Sequence, residues 1–208
     1  MPKLNQYPKI HRMEQRSDEW YDIRKGKMTA SNAATIATNG KGLESYIYNL
    51  LAEKYALNND EESYISQDMQ RGIDREQQAR MTYEIEFDEI EQVGFVEMDE
   101  YTGCSPDGLI NEDGGIEIKA PNNQNFFRLL VDGESAIDKK YLWQCQMSML
   151  VSGRKWWDLC FWNGNFSSNI IVFKVEPDLS MQEKLMVGIE KGKNLIIKLE
   201  EEYAKRNN

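Results

Sequence analysis

The chain is 208 residues long, with three cysteines (Cys104, Cys145, Cys160) and a single histidine, His11. That length supports one domain with a buried core, while an odd, unspaced cysteine set argues against a disulfide framework or a CxxC zinc site, and one histidine rules out multi-histidine metal sites. The formal net charge of −10 would argue against a nucleic-acid partner if it were evenly spread, and it is not. Residues 1–32 carry 7 Lys/Arg against 4 Asp/Glu, and residues 118–175 again 7 against 4. Between them, residues 58–117 hold 3 arginines against 18 acids, a local net of −15. Two readings fit this pattern: a solvated acidic face, or carboxylates that hold divalent metal between phosphate-gripping flanks. No apolar run approaches a bilayer span, and Met1-Pro2-Lys3 leads into polar sequence. Neither a signal peptide nor a membrane segment is expected, so the expected location is cytoplasmic.

In chain order, Ser17 before Asp18-Glu19-Trp20 reads as a helix N-cap, with the helix stopping near Gly26. A second helix start lies at Thr29-Ala30-Ser31 and runs to Asn39-Gly40. Leu43 to Ala56 and Met69 to Phe87 follow as helices. The period then shortens. Val93–Val96, Gly108–Ile110 and Ile116–Ile118 read as strands separated by turns at Thr102-Gly103 and Asp113-Gly114-Gly115. Helices are expected at about 125–131 and 139–151, then strands at 156–162 and 169–175 across Asn163-Gly164-Asn165. An amphipathic helix over about 180–203 closes the chain; it would seal the core or form a subunit contact. The order predicts an α/β fold, a mixed central sheet flanked by helices around one core.

The densest chemistry lies between Ser105 and Lys119. Ser105-Pro106-Asp107-Gly108 opens one strand, and Glu117-Ile118-Lys119 sits in the next. Period-two alternation puts Glu117 and Lys119 on one face, with Ile116 and Ile118 on the other. If the strands pair as a hairpin, Asp107 reaches the same face. Two crowded carboxylates then call for a cation, and hard oxygen ligands suit Mg²⁺ or Mn²⁺. The plain alternative is a cross-strand ion pair on a solvated face. Glu76, on the helix upstream, is a candidate third carboxylate or simply a surface acid. Gln144, on the helix downstream, is placed to orient water or phosphate, or is an ordinary polar position. Arg24, Lys25, Lys27 and the helix start at Thr29–Ser31 would bind an anion, or form a solvated loop. Trp156, Trp157 and Trp162 could stack on bases, but alternating strand positions favour packing.

Five ordered segments carry a resemblance: Trp20 to Ser31, Gly72 to Arg80, Cys104 to Leu109, Glu117 to Pro121, and Tyr141 to Gln146. Together they resemble the lambda-exonuclease, or YqaJ-like, family of phage recombination nucleases, within the restriction-endonuclease-like PD-(D/E)xK superfamily. The resemblance implies a restriction-endonuclease-like core in a single nuclease domain over 1–208, with the catalytic part at about 14–175. It implies a Mg²⁺-dependent exonuclease that degrades the 5′ strand of duplex DNA ends and leaves a 3′ overhang for a single-strand annealing protein. By position, Asp107, Glu117 and the Ile118 carbonyl would bind one ion, and Glu76 with Asp107 a second. Lys119 and Gln144 would place the attacking water, while Arg24 and Ser31 would grip the terminal 5′-phosphate. The family further implies a homo-oligomeric ring, often a trimer, working in the host cytoplasm if phage-encoded. Where family members can carry an arginine after the Glu-x-Lys strand, this chain reads Asn122 to Asn125, with Arg128 the nearest arginine. The alternative is a structure-specific or single-strand DNA nuclease of the same superfamily. A scaffold with purely structural carboxylates is a more distant one.

Overall fold

The structure, a computed structural model, describes residues 8–57 and 67–207, without the side chains of residues 67–74. Met1–Lys3, the 58–66 part of the acidic block, and the side chains of Arg71 to Asp74 lie outside the described residues. The first strand is β1 (Lys9–His11), followed by helix α1 (Asp18–Arg24). As the sequence predicts, the Ser17 hydroxyl caps α1 by accepting the Trp20 N–H at 3.3 Å, with Asp18 and Glu19 in the first turn. Strand β2 (Met28–Thr29) runs into a 3₁₀ turn (Ala30–Asn32), then α2 (Ala33–Thr38) and α3 (Lys41–Tyr55). Helix α4 (Gln67–Glu86) precedes the strands β3 (Phe95–Asp99), β4 (Thr102–Cys104), β5 (Gly108–Ile110) and β6 (Gly114–Lys119). Helices α5 (Asn123–Asp132) and α6 (Lys139–Ser152) follow, capped by the Asn122 and Asp138 side chains. Strands β7 (Trp156–Trp162) and β8 (Ile170–Val175) lead to the long helix α7 (Leu179–Asn207).

The strands form two mixed four-stranded sheets rather than one, in the orders β1-β3-β4-β2 and β5-β6-β7-β8. An isolated bridge between Glu91 and Leu109 links the β5 edge to the segment entering β3. In the second sheet, β5 and β8 run antiparallel to their neighbours and β6 lies parallel to β7, with Glu117 opposite Leu159. Three expectations change. Thr102-Gly103 is strand, not turn, because β4 pairs with both β3 and β2. The strand expected from Val93 begins at Phe95, since Gly94 donates its N–H to His11 at the end of β1. The helix start expected at Thr29–Ser31 is a 3₁₀ turn, and the α-helix proper begins at Ala33.

Apolar burial holds the second sheet on both faces. Its inner face meets α6, which packs in turn on α2 and α7, with α3 beside them, in a main core that includes Ile36, Leu43, Ile47, Trp157, Leu159, Phe161 and Leu185. Its other face lies under α4 in a smaller core of Ala79, Tyr83, Ile110, Ile116, Ile118, Cys160 and Trp162. Trp157 and Trp162 are therefore packing residues. Helix α7 seals the main core through Leu185, Ile189 and Ile196, and it approaches α2 so closely that a Cβ at Gly188 would overlap the Ile36 carbonyl. All three cysteines are free and buried. Among the described residues no helix is long and apolar enough to cross a membrane.

Candidate active site

Strand β6 presents its chemistry toward α6. Alternation sends Ile116 and Ile118 into the small core, leaving Glu117 and Lys119 together on the opposite face. The face is not solvated: Glu117 is only 3% exposed. The Lys119 ammonium donates to Glu117 Oε1 at 2.6 Å and to Gln144 Oε1 at 3.2 Å, and it lies 5.0 Å from the Tyr141 ring centre. Gln144 Nε2 donates to the same Glu117 oxygen at 2.6 Å. The other oxygen, Oε2, is buried with no hydrogen-bond partner among the described residues.

Asp107, just before β5, joins this pair through the hairpin. Its Oδ2 accepts the Ile118 N–H at 2.6 Å. Burial, and after it the charge of Glu117, pushes the Asp107 carboxyl well above its usual range; Glu76 adds to the push and Lys119 opposes it. For Lys119, burial lowers the pKa, but the charges of Glu117 and Asp107 outweigh it and the ammonium is held more firmly than usual. An orphaned buried carboxylate oxygen beside a second buried carboxyl would be satisfied by a cation held between them. The hard-oxygen donor set of Asp107 and Glu117 suits a divalent ion.

Glu76 does not join them. Its oxygens accept from Arg16 at 2.8 Å and from Arg80 at 3.0 Å. Accordingly, among the described residues no three Asp, Glu, His or Cys side chains gather around one point.

Next to the carboxylates lies a basic corner. Arg24 Nη1 donates to the Ser105 hydroxyl at 2.6 Å, and its guanidinium stacks 4.1 Å from the Trp20 ring centre. Trp20 Nε1 donates to Ser105 Oγ at 3.0 Å and to the Gly94 carbonyl at 2.9 Å, which fixes the corner against β3. Gln15 Nε2 holds the Pro106 carbonyl at 2.8 Å, anchoring the backbone that delivers Asp107. Ser31 is exposed and shares a hydrogen bond with Thr29 Oγ1 at 3.1 Å, without direct contact to Arg24. Tyr46 lies near both: its hydroxyl accepts the Thr29 N–H at 3.2 Å, and the charge of Arg24 lowers its pKa against the larger, upward effect of burial.

Residues 19–155, two thirds of the chain, match the YqaJ-like viral recombinase domain. The chain belongs to that family. The match contains Arg24, Ser31, Glu76, Asp107, Glu117, Ile118, Lys119 and Gln144. No curated protein matches. Among solved structures, the alkaline exonuclease LHK-Exo of Laribacter hongkongensis aligns at 26% identity and TM-score 0.74, over 91% of this chain and 99% of that one. The same enzyme in complex with dAMP gives 27% identity and TM-score 0.77, over 92% of this chain and 97% of the other. A phage-related exonuclease of Haemophilus somnus shares the fold at 13% identity and TM-score 0.65, over 85% and 96%.

In this YqaJ-family chain, the cluster brings two carboxylates, one firm cation and an amide together where β6 faces α6. Sequence reasoning missed Arg16, Arg80, Gln15, Trp20 and Ser105 as parts of this assembly. The Arg80 contact had a legible signal, since Glu76 and Arg80 stand four apart on one helix. The others depend on contacts across 60 to 91 residues, which no local pattern carries.

Proposed function

We propose that this YqaJ-family chain is a divalent-cation-dependent 5′→3′ exonuclease on duplex DNA ends, with Mg²⁺ as the ion. The observation that carries the reading is the convergence of Asp107, Glu117 and Lys119 around an unpartnered, buried Glu117 Oε2. Asp107, Glu117 and the Ile118 carbonyl would hold one ion, and Glu76 with Asp107 a second. When bound, such an ion polarises the scissile phosphate and lowers the pKa of a coordinated water. Lys119 remains protonated, donates toward the attacking oxygen and offsets the charge that builds on the phosphate. Gln144 fixes Lys119 and Glu117 through both ends of its amide, so neither swings away. The small apolar core behind Ile116 and Ile118 keeps the strand in register during the reaction.

The 5′ polarity rests on Arg24. Ser105, its partner, stands two residues from Asp107, within about 7 Å along the chain. A terminal phosphate held by Arg24, with Ser31 at the neighbouring turn, would therefore lie beside the carboxylates. The dAMP bound by LHK-Exo supports a family site that accepts a nucleoside monophosphate, the product class of an exonuclease. The reading extends to one nuclease domain over 1–208, a ring-shaped homo-oligomer (a trimer), an annealing partner for the 3′ overhang, and the cytoplasm of a host cell. Light scattering tests the trimer.

The deciding assay uses linear duplex labelled at the 5′ or 3′ end, with and without Mg²⁺. The 5′ strand should be lost only with the ion, and faster from 5′-phosphate than from 5′-hydroxyl ends. A charge-assisted contact is worth ~1.5–3 kcal/mol, so Arg24→Ala should slow phosphorylated ends roughly ten- to a hundredfold and narrow their advantage. Arg24→Lys should recover only part, for want of the planar fork. Equal wild-type rates on both ends would remove the phosphate pocket. Cutting of circular duplex or single strands instead would favour the structure-specific or single-strand alternative.

A further inference from the structure

The segment Gln15–Arg16 bridges the backbone before Asp107 and helix α4. Gln15 bonds to the Pro106 carbonyl beside Asp107, and Arg16 bonds to Glu76 on α4. Arg16 adopts a left-handed backbone, φ +70°, which a non-glycine residue keeps only where its surroundings hold it. The far side of the Glu76 carboxylate is taken by Arg80, whose Nη1 is buried with no hydrogen-bond acceptor among the described residues. Among the described residues Arg80 Nη1 is thus a buried donor without an acceptor, on the helix that carries Glu76, and Glu117 Oε2 a buried acceptor without a donor. A phosphate would give the guanidinium groups an acceptor and a cation would give the carboxylates a partner, and both fit best if the phosphate takes Arg16 and Arg80 while Glu76 turns to the cation.

We propose that Arg16 and Arg80 form a phosphodiester-binding clamp, which holds Glu76 away from the Asp107–Glu117 pair until a DNA backbone phosphate replaces it. The proposal rests on the nuclease reading of the site. Guanidinium forks bind phosphate and carboxylate in the same paired geometry, so the exchange costs few hydrogen bonds. It also delivers the third carboxylate only when substrate is present, so that nucleic acid and cation each raise the affinity for the other. Arg16 is the partner to test because its side chain is 44% exposed and bears no core.

The experiment is calorimetric titration with Ca²⁺, a hard cation of similar ligand preference, with and without a phosphorothioate-capped, 5′-phosphorylated duplex. The proteins are wild type, Arg16→Ala, Arg16→Gln, Glu76→Gln and Arg16→Ala/Glu76→Gln. A partly exposed ion pair of this kind corresponds to about a two- to fivefold effect. Arg16→Ala and Arg16→Gln should therefore bind Ca²⁺ two- to fivefold more tightly than wild type without DNA, and lose that much of the duplex-induced gain. In the Glu76→Gln background the Arg16→Ala effect should vanish. Unchanged Ca²⁺ affinity in both Arg16 variants overturns the clamp, provided wild type cuts duplex with Mg²⁺. So does an Arg16→Ala effect that persists without Glu76, since Arg16 would then act only as a nearby charge. A wild type that cuts no DNA with Mg²⁺ overturns the nuclease reading, and the phosphate exchange with it.

Discussion

Lys119 and Asp107 show how much of this site is decided by single charges. Among the described residues Lys119 is the only cation in contact with Glu117, and with Gln144 it satisfies one of that carboxylate's two oxygens. The Asp107 carboxyl is pushed up by burial and then by Glu117, so ionising it costs more in the folded chain than in the unfolded one. A carboxyl whose folded pKa is raised contributes stability that is present below its unfolded value, near pH 4, and lost as pH rises through the folded value. Asp107→Asn keeps an acceptor for the Ile118 N–H and removes the charge. In metal-free buffer at pH 8 it should therefore be more stable than wild type by ~1–3 kcal/mol, a rise in Tm of about 2–10 °C. The gap should close below about pH 4 and narrow with saturating Mg²⁺, while cleavage is lost. Thermal scans at both pH values check this, and a less stable variant in chelator at pH 8 would sink the electrostatic account. Sequence alone yielded Asp107, Glu117 and Lys119 because a strand's period of two is a local rule. It did not yield the Arg16 and Arg80 contacts to Glu76, nor the depth that makes Glu117 a buried group.

At the scale of elements, length decided what was readable. Helices α3, α4, α6 and α7 and strands β7 and β8 span enough residues for periodicity to emerge. Strands β1, β2 and β4 are two or three residues long, shorter than any alternation, and exist only because distant partners complete their hydrogen bonds. Hence the single expected sheet became two. Gly188 in α7 lies against the Ile36 carbonyl of α2, where an added Cβ would overlap it. Backbone cannot yield as a side chain can, so Gly188→Ala should cost ~1–3 kcal/mol, lowering Tm by about 2–10 °C. Gly42→Ala is the control: its Cβ would meet Thr35 at an ordinary 3.6 Å, and better helix propensity should leave Tm unchanged or raised. Equal effects of the two substitutions in thermal unfolding would mean that α7 does not need its close seat.

For the whole molecule, the charge asymmetry legible in the sequence turns out to be largely internal. The N-terminal basic segment folds back onto the acidic block through Arg12–Glu91, Arg16–Glu76 and Lys27–Glu97, and the second basic segment adds Lys119–Glu117 and Lys155–Asp113. What the sequence suggested as basic flanks for phosphate is thus partly committed before any DNA arrives. The two-core construction has a separate consequence, which the buried thiols make measurable. Cys104 and Cys145 lie in the main core and Cys160 in the small one, all three with pKa raised chiefly by burial. Thiolates react and buried thiols do not, so an alkylating reagent meets each sulfur only when its own core opens. Mass-resolved labelling at pH 8 would time those openings separately. If the two cores breathe together, all three sulfurs gain the reagent at one rate; if α4 lifts alone, Cys160 is modified while Cys104 and Cys145 stay silent.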